Sequence, residues 1–339
     1  MTLQRLTIRR PDDWHVHLRD GEMLERVAPF TARQFGRAIV MPNLSPPVTS
    51  IDAASAYRAR IVAAAGEGFT PLMTAYLTDT IDADALARGH DEGVWVAAKL
   101  YPAGATTNSA SGVTDISNVH AVLERMQDIG MLLCVHGEVT DPDIDVFDRE
   151  AVFIDRILEP LVRRFPALRI VLEHITTRQA AEFVADAPDS VAATVTPQHL
   201  MLNRNALFQG GLRPHAYCLP VVKREEHRLA VRRAATSGSA KFFLGTDSAP
   251  HEVAAKESSC GCAGIFNAPY ALEAYAQVFD EEEALDRLEA FASLNGPAFY
   301  GLEPNSDSVT LEKAACPVPD RVAGLVPFGA GGEFSWRMA

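Results

Sequence analysis

Apolar residues in this chain fall in short, nearly continuous runs, separated by longer stretches where they recur with helical spacing. The short runs are DWHVH (13–17), RAIVMPN (37–43), TPLMTAYL (70–77), VWVAAKLY (94–101), MLLCVHG (131–137), LRIVLEH (168–174), VAATVTP (191–197) and KFFLGTD (241–247). Runs of this length predict strands of a parallel sheet covered on both faces. Most intervening segments predict amphipathic helices, among them 51–66, 115–130 and 149–165, with Gly66 and Gly130 as stops. Strands alternating with helices in this way predict an α/β protein, a closed (β/α)8 TIM barrel. A doubly wound sheet is the rival, but it usually carries a glycine-rich phosphate turn after its first strand. Here the first strand runs into LRDGEM, and GAGG at 329–332 comes too late to open a strand–helix unit, so it reads as a loop. No repeat, low-complexity tract or linker divides residues 1–339, which are expected to form one barrel domain.

Polar residues interrupt the apolar runs at particular places. Side chains alternate faces along a strand, so His15 and His17 share a face that Arg19 continues. Two adjacent imidazoles are awkward as core packing and natural as metal ligands. Asn43, Lys99, His136, His174 and Asp247 likewise fall at or near the C-terminal ends of predicted strands. That face of a barrel is where active sites are built. Singly, each residue has a plain structural reading: Lys99 snorkelling to solvent, Asp247 capping a turn, His136 or His174 hydrogen-bonded in place. Together they outline a metal site at one mouth. An ammonium has no lone pair, so Lys99 must be neutralised to join such a site, and carboxylation by CO₂ would convert it to an anionic carbamate. His90, His120 and His227 read as surface residues, and His199 and His215 stay unassigned.

The charge balance, 31 basic against 44 acidic residues for a net −13, argues against a nucleic-acid or anionic-membrane partner. The opening MTLQRLTIRRPDDW has no apolar signal region, and no run approaches the length of a membrane-spanning helix. With five cysteines irregularly spaced, a reduced, cytoplasmic setting is expected. Cys260-Gly261-Cys262 suggests a thiol pair but lacks a second pair to complete a zinc site. GATTNSASG (104–112) is small and polar, and reads as a linker or as a lid over a site.

PDDWHVHLRDG, RAIVMPNLSPPV, AAKLYPAGATTNS, VHGEVT, EHITT, TVTPQHLMLNRN, LGTDSAPH and KESSCGCAGIFNAP, in this order, resemble the amidohydrolase superfamily. Within it they are most similar to the monofunctional bacterial dihydroorotases, and residues after 303 contribute little. The resemblance implies two Zn²⁺ per subunit: His15, His17 and Asp247 on the more buried one, His136 and His174 on the other, and N6-carboxylated Lys99 bridging them. It implies reversible cyclisation of N-carbamoyl-L-aspartate to L-dihydroorotate, with hydroxide as nucleophile in the hydrolytic direction and Asp247 moving the proton. It further implies that Arg19, Asn43 and His251 hold the substrate carboxylate. The backbone of Leu219 and Ala263 would meet the ring amides, and the loop bearing Thr106 and Thr107 would close over them. A homodimer is the implied assembly. Other readings stay open here: a hydantoinase, dihydropyrimidinase or allantoinase type, a mononuclear hydrolase, or an inactive barrel used as a scaffold.

Overall fold

The computed structural model describes residues 4–259 and 261–339; Cys260 of the suggested thiol pair lies outside the described residues. Strand β1 (Arg5–Arg9) precedes the barrel. The barrel strands are β2 (Asp13–Val16), β3 (Arg37–Val40), β4 (Thr70–Tyr76), β5 (Ala97–Leu100), β6 (Leu132–Val135), β7 (Ile170–Leu172), β8 (Val191–Val195) and β9 (Phe242–Leu244). They pair in parallel, each with the next in sequence. The ring closes just beyond β9, where Asp247 N–H donates to His15 O at 2.8 Å and His17 N–H to Ser248 O at 3.0 Å. The predicted barrel is therefore observed.

Local chemistry sets the helices between strands. Asp20 caps the helix Gly21–Gln34 by accepting from Gly21 N–H, and Ser50 caps Ile51–Ala65 by accepting from Ala53 N–H. Gly66 and Gly130 end their helices at positive φ, 82° and 71°. Two of the predicted helices are less regular than expected. Residues 115–130 begin with a 3₁₀ turn (Ile116–Val119) before the α-helix His120–Ile129. Residues 149–165 carry a π-helical turn, Ile154–Leu158, between two short α-helical pieces.

Strand parity sorts the core into two layers. Ala38, Val40, Ala98, Leu100, Leu133, Val135, Ile170, Leu172, Ala193 and Leu244 face outward into the layer shared with the helices. Ile39, Met41, Ala97, Leu132, Cys134, Val171, Ala192 and Phe243 fill the barrel interior. Trp14 joins them, stacked at 4.3 Å on Tyr300 of the helix Asn295–Tyr300, which plugs the N-terminal end of the barrel. Residues after 303, unread in the sequence, form β10 (Ser308–Glu312), β11 (Cys316–Pro317), β12 (Glu333–Phe334) and β13 (Arg337–Met338). β10 lies between β1 and β13 in an antiparallel sheet beside the barrel. No helix among the described residues is long and apolar enough to cross a membrane.

Candidate active site

Inward parity carries the polar residues to the mouth. On β5 the inward set runs Ala97, Lys99; on β6 it runs Leu132, Cys134 and then His136, one residue past the strand. On β2 the register shifts between Asp13 and Val16, and this irregularity lets Trp14 and His15 both join the interior. Gly245 follows β9 where a Cβ would lie 2.7 Å from Thr194 Cβ and 3.2 Å from His15 Cβ; the space for His15 depends on that missing side chain. His174 breaks parity. Ile170 and Leu172 face outward, yet φ of +42° at His174 turns its ring back into the mouth. Asp247 (φ +47°) and Arg19 (φ +58°) are also in the left-handed region, a strained backbone tolerated where surroundings over-determine it.

His15, His17 and Asp247 each offer one ligand atom, all within 4.8 Å of one another. His15 Nε2 is 3.3 Å from His17 Nε2, and Asp247 Oδ1 lies 3.4 and 3.1 Å from these two nitrogens. The other ring nitrogens are engaged: His15 Nδ1–H donates to Glu173 Oε2 and His17 Nδ1–H to Asn43 Oδ1, both at 2.8 Å. That fixes the tautomer and aims the Nε2 lone pairs at a common point. Burial lowers the pKa of both rings, keeping them neutral, and raises that of Asp247. The His174 ring lies 4.9 Å from both the His15 and His136 rings, and His136 Nε2 is held at 2.8 Å by Glu138 Oε2.

Lys99 is fully buried, and its Nζ has no hydrogen-bond partner; the Tyr101 ring centroid is 5.0 Å away. It does not snorkel. Burial drives its pKa down. His174 Nδ1 is buried without a partner too. Uncompensated buried polar atoms are costly, and here they cluster beside a ready-made His–His–Asp donor set. Neutral imidazoles, a carboxylate and a lysine that must lose its charge fit a metal centre. Neither Glu173 nor Glu138 was picked out from the sequence. The available signal was a carboxylate adjacent to His174 or two residues past His136, in otherwise apolar runs.

The cleft at this mouth is lined by all the proposed ligands except Lys99, together with Arg19, Asn43, Tyr101, Thr106, Thr107, Leu219, Ala249, Ala263 and Gly264. Arg19 Nε–H donates to Pro250 O at 3.1 Å, and Nη2 lies 2.9 Å from His251 Nε2. That His251 nitrogen is also 2.9 Å from Ala263 O. Burial and then the Arg19 charge push the His251 pKa down to about 3, so the ring is neutral. His251 Nε2 thus lies between Ala263 O and Arg19 Nη2, and Arg19 Nη1, with no hydrogen-bond partner among the described residues, is left for an anion. The 104–112 segment is hydrogen-bonded to the cleft wall. Asn43 Nδ2 donates to Thr107 O at 2.9 Å, Asn108 Nδ2 to Asn43 O at 3.0 Å, and Thr107 Oγ1 to Ala263 O at 3.4 Å. The histidines left out of the site are bonded elsewhere. His90 contacts Trp95 O, His120 packs on Phe165, His227 accepts from Arg178 N–H, His199 bonds Thr196 and Pro220 O, and His215 pairs with Glu257.

A parallel barrel with a His–His–Asp group and a buried lysine at its strand ends defines a hydrolase of the metal-assisted barrel class. The model of the amidohydrolase family matches residues 12–320. A dihydroorotase from Sphingopyxis alaskensis is 70% identical over 336 residues, 98% of this chain and 99% of that protein. The solved dihydroorotase of Saccharomyces cerevisiae in complex with 5-fluoroorotic acid superposes with a TM-score of 0.92 at 34% identity, covering 99% of both chains. An L-hydantoinase (dihydropyrimidinase) from Arthrobacter aurescens is alike only in fold: TM-score 0.83 at 17% identity, over 98% of this chain and 83% of that one. This chain belongs to the amidohydrolase family and, within it, to the dihydroorotases.

Proposed function

We propose that this chain interconverts N-carbamoyl-L-aspartate and L-dihydroorotate, the cyclisation step of pyrimidine synthesis, as a zinc-dependent cyclic amidohydrolase. The observation that carries this reading over the hydantoinase-type alternatives is the Arg19 guanidinium, held by Pro250 O and beside His251 on a cleft that Asn43 also lines, a cationic anchor for a substrate carboxylate. His15, His17 and Asp247 would hold one Zn²⁺, His136 and His174 a second, with carboxylated Lys99 between them. Metals held there would supply Lewis-acid chemistry, making a water more acidic and a carbonyl more electrophilic. Everything else falls to the chain. Arg19, Asn43 and His251 orient the ring by its carboxylate. Leu219 and Ala263 present backbone groups to the ring amides. The Thr106–Thr107 lid shuts out bulk water. In the hydrolytic direction the water oxygen bonds to the ring amide carbon and the C–N bond breaks. Asp247 takes the water proton and delivers it to the departing ring nitrogen; cyclisation runs the same transfers backwards. Residues 1–339 act as one unit on this reading, in the cytoplasm and as a homodimer.

Ring opening of L-dihydroorotate, followed by ultraviolet absorbance, tests the proposal. Activity is expected as purified, lost on chelation and restored by zinc with bicarbonate. A protein that holds two metals and leaves dihydroorotate unopened would overturn it and direct attention to hydantoins and allantoin.

A further inference from the structure

Lys256 ends the short helix Val253–Lys256 and is only 3% exposed. Its ammonium donates to Tyr217 O at 2.8 Å, Cys262 O at 2.8 Å and Gly264 O at 2.7 Å. An ammonium has three donors and no acceptor, so the group is fully used. Burial pulls its pKa down to about 8. A charge is thus kept in an unfavourable place, and the three carbonyls offset that cost.

These carbonyls belong to two segments of the cleft wall. Tyr217 lies two residues before Leu219, and Cys262 and Gly264 flank Ala263; Leu219, Ala263 and Gly264 all line the cleft. The segments also meet through Gly264 N–H, which donates to Tyr217 O at 3.0 Å, while Cys262 N–H donates to Ala255 O at 3.2 Å. Ala263 O is the acceptor for His251, so the same short stretch positions the carboxylate anchor. Replacing the ammonium by an apolar group would leave Cys262 O and Gly264 O short of a donor and Tyr217 O with only Gly264 N–H, and the freed peptide planes would rotate to find others. Rotation of the Cys262–Ala263 plane re-aims the Ala263 N–H, and rotation of the Gly264–Ile265 plane shifts the stretch on its other side.

We propose that Lys256 is a positioning residue: its ammonium clamps the 217–219 and 262–264 segments so that the backbone of Leu219 and Ala263 meets the substrate ring. The inference rests on the dihydroorotase reading above. It predicts a loss in binding the ring rather than in metal or chemistry.

The test compares wild-type holoenzyme with Lys256→Met, which keeps length and loses every donor, and Lys256→Gln, which keeps two. Ring-opening kinetics and metal content are measured for each. KM for dihydroorotate is expected to rise about tenfold or more in Lys256→Met, with a smaller change in kcat and wild-type metal content; Lys256→Gln should fall between. A KM within twofold of wild type in Lys256→Met, a Lys256→Gln variant more impaired than Lys256→Met, or a fall in kcat that tracks lost metal, overturns the positioning role. If neither variant can be recovered folded, Lys256 serves the fold and not the site, and the role is likewise overturned. Wild-type protein that opens no ring removes the dihydroorotase reading itself, and the positioning role with it. Active wild type with unchanged variants removes the positioning role alone.

Discussion

At the scale of single residues, Lys99 is the side chain whose environment departs furthest from its chemistry. A cation is buried among neutral imidazoles with no acceptor for its ammonium. The proposed carboxylation would resolve this by turning it into an anion able to join a metal site. Lys99→Ala is therefore expected to lose most of the second metal and at least about a hundredfold in activity, with partial rescue by short carboxylates. Metal analysis and ring-opening rates check it, and full two-metal occupancy in the variant would remove the bridging role. Much of this site was legible residue by residue, because parity alone puts His15 and His17 on one face and Lys99 and His136 inward. His174 was legible only as a strand-end histidine; parity points it outward, and the left-handed turn of its backbone brings it in. Asn43 Oδ1 receiving His17 Nδ1–H was visible only once β2 and β3 were side by side.

At the scale of elements, the barrel strands matched their apolar runs because the signal is local and strong. The ends and irregularities did not. The register shift in β2 and the π turn at Ile154–Leu158 leave no mark on hydrophobic spacing. Strands β11 to β13 are two residues each, too short for any periodicity, and β1 finds its partner in β10 some three hundred positions away. Gly296 shows how tightly elements meet at the closed end. A Cβ there would sit 1.9 Å from Trp14 Nε1, in the helix that plugs the barrel. Gly296→Ala is expected to destabilise the fold by about 2–3 kcal/mol, because the clash is with a rigid indole already stacked on Tyr300. Denaturant midpoints measure it; a variant as stable as wild type would mean the plug has slack the packing does not suggest.

At the scale of the whole molecule, stability is linked to groups buried far from solvent. His199 accepts from Thr196 Oγ1 at 2.7 Å through Nδ1 and donates to Pro220 O at 2.9 Å through Nε2, and burial holds its pKa down to about 4. In the unfolded chain the ring titrates near about 6.5. As pH falls below that value the unfolded state takes up a proton that the folded state refuses. The contribution is therefore complete above about pH 6.5 and is lost as pH falls toward 4, at up to about 1.4 kcal/mol per pH unit. His199→Gln should flatten this part of the curve, so urea-unfolding free energies of variant and wild type should differ less at pH 5 than at pH 7. Equal differences at both pH values would refute the linkage.

From its sequence alone this protein is determined as a chain of alternating strands and helices, with an inward face on most strands and a set of candidate metal-ligand side chains at one end of them. Those features follow from interactions between near neighbours, which periodicity records. Only the tertiary structure decided that Asp247 stands within ligand distance of His15 and His17, that Glu173 and Asn43 fix their tautomers, and that Lys256 ties two distant wall segments together. The first depends on barrel closure, which brings the first and last strands together, and the others on which strand ends and loops meet around the mouth; no local pattern in the chain encodes those distances.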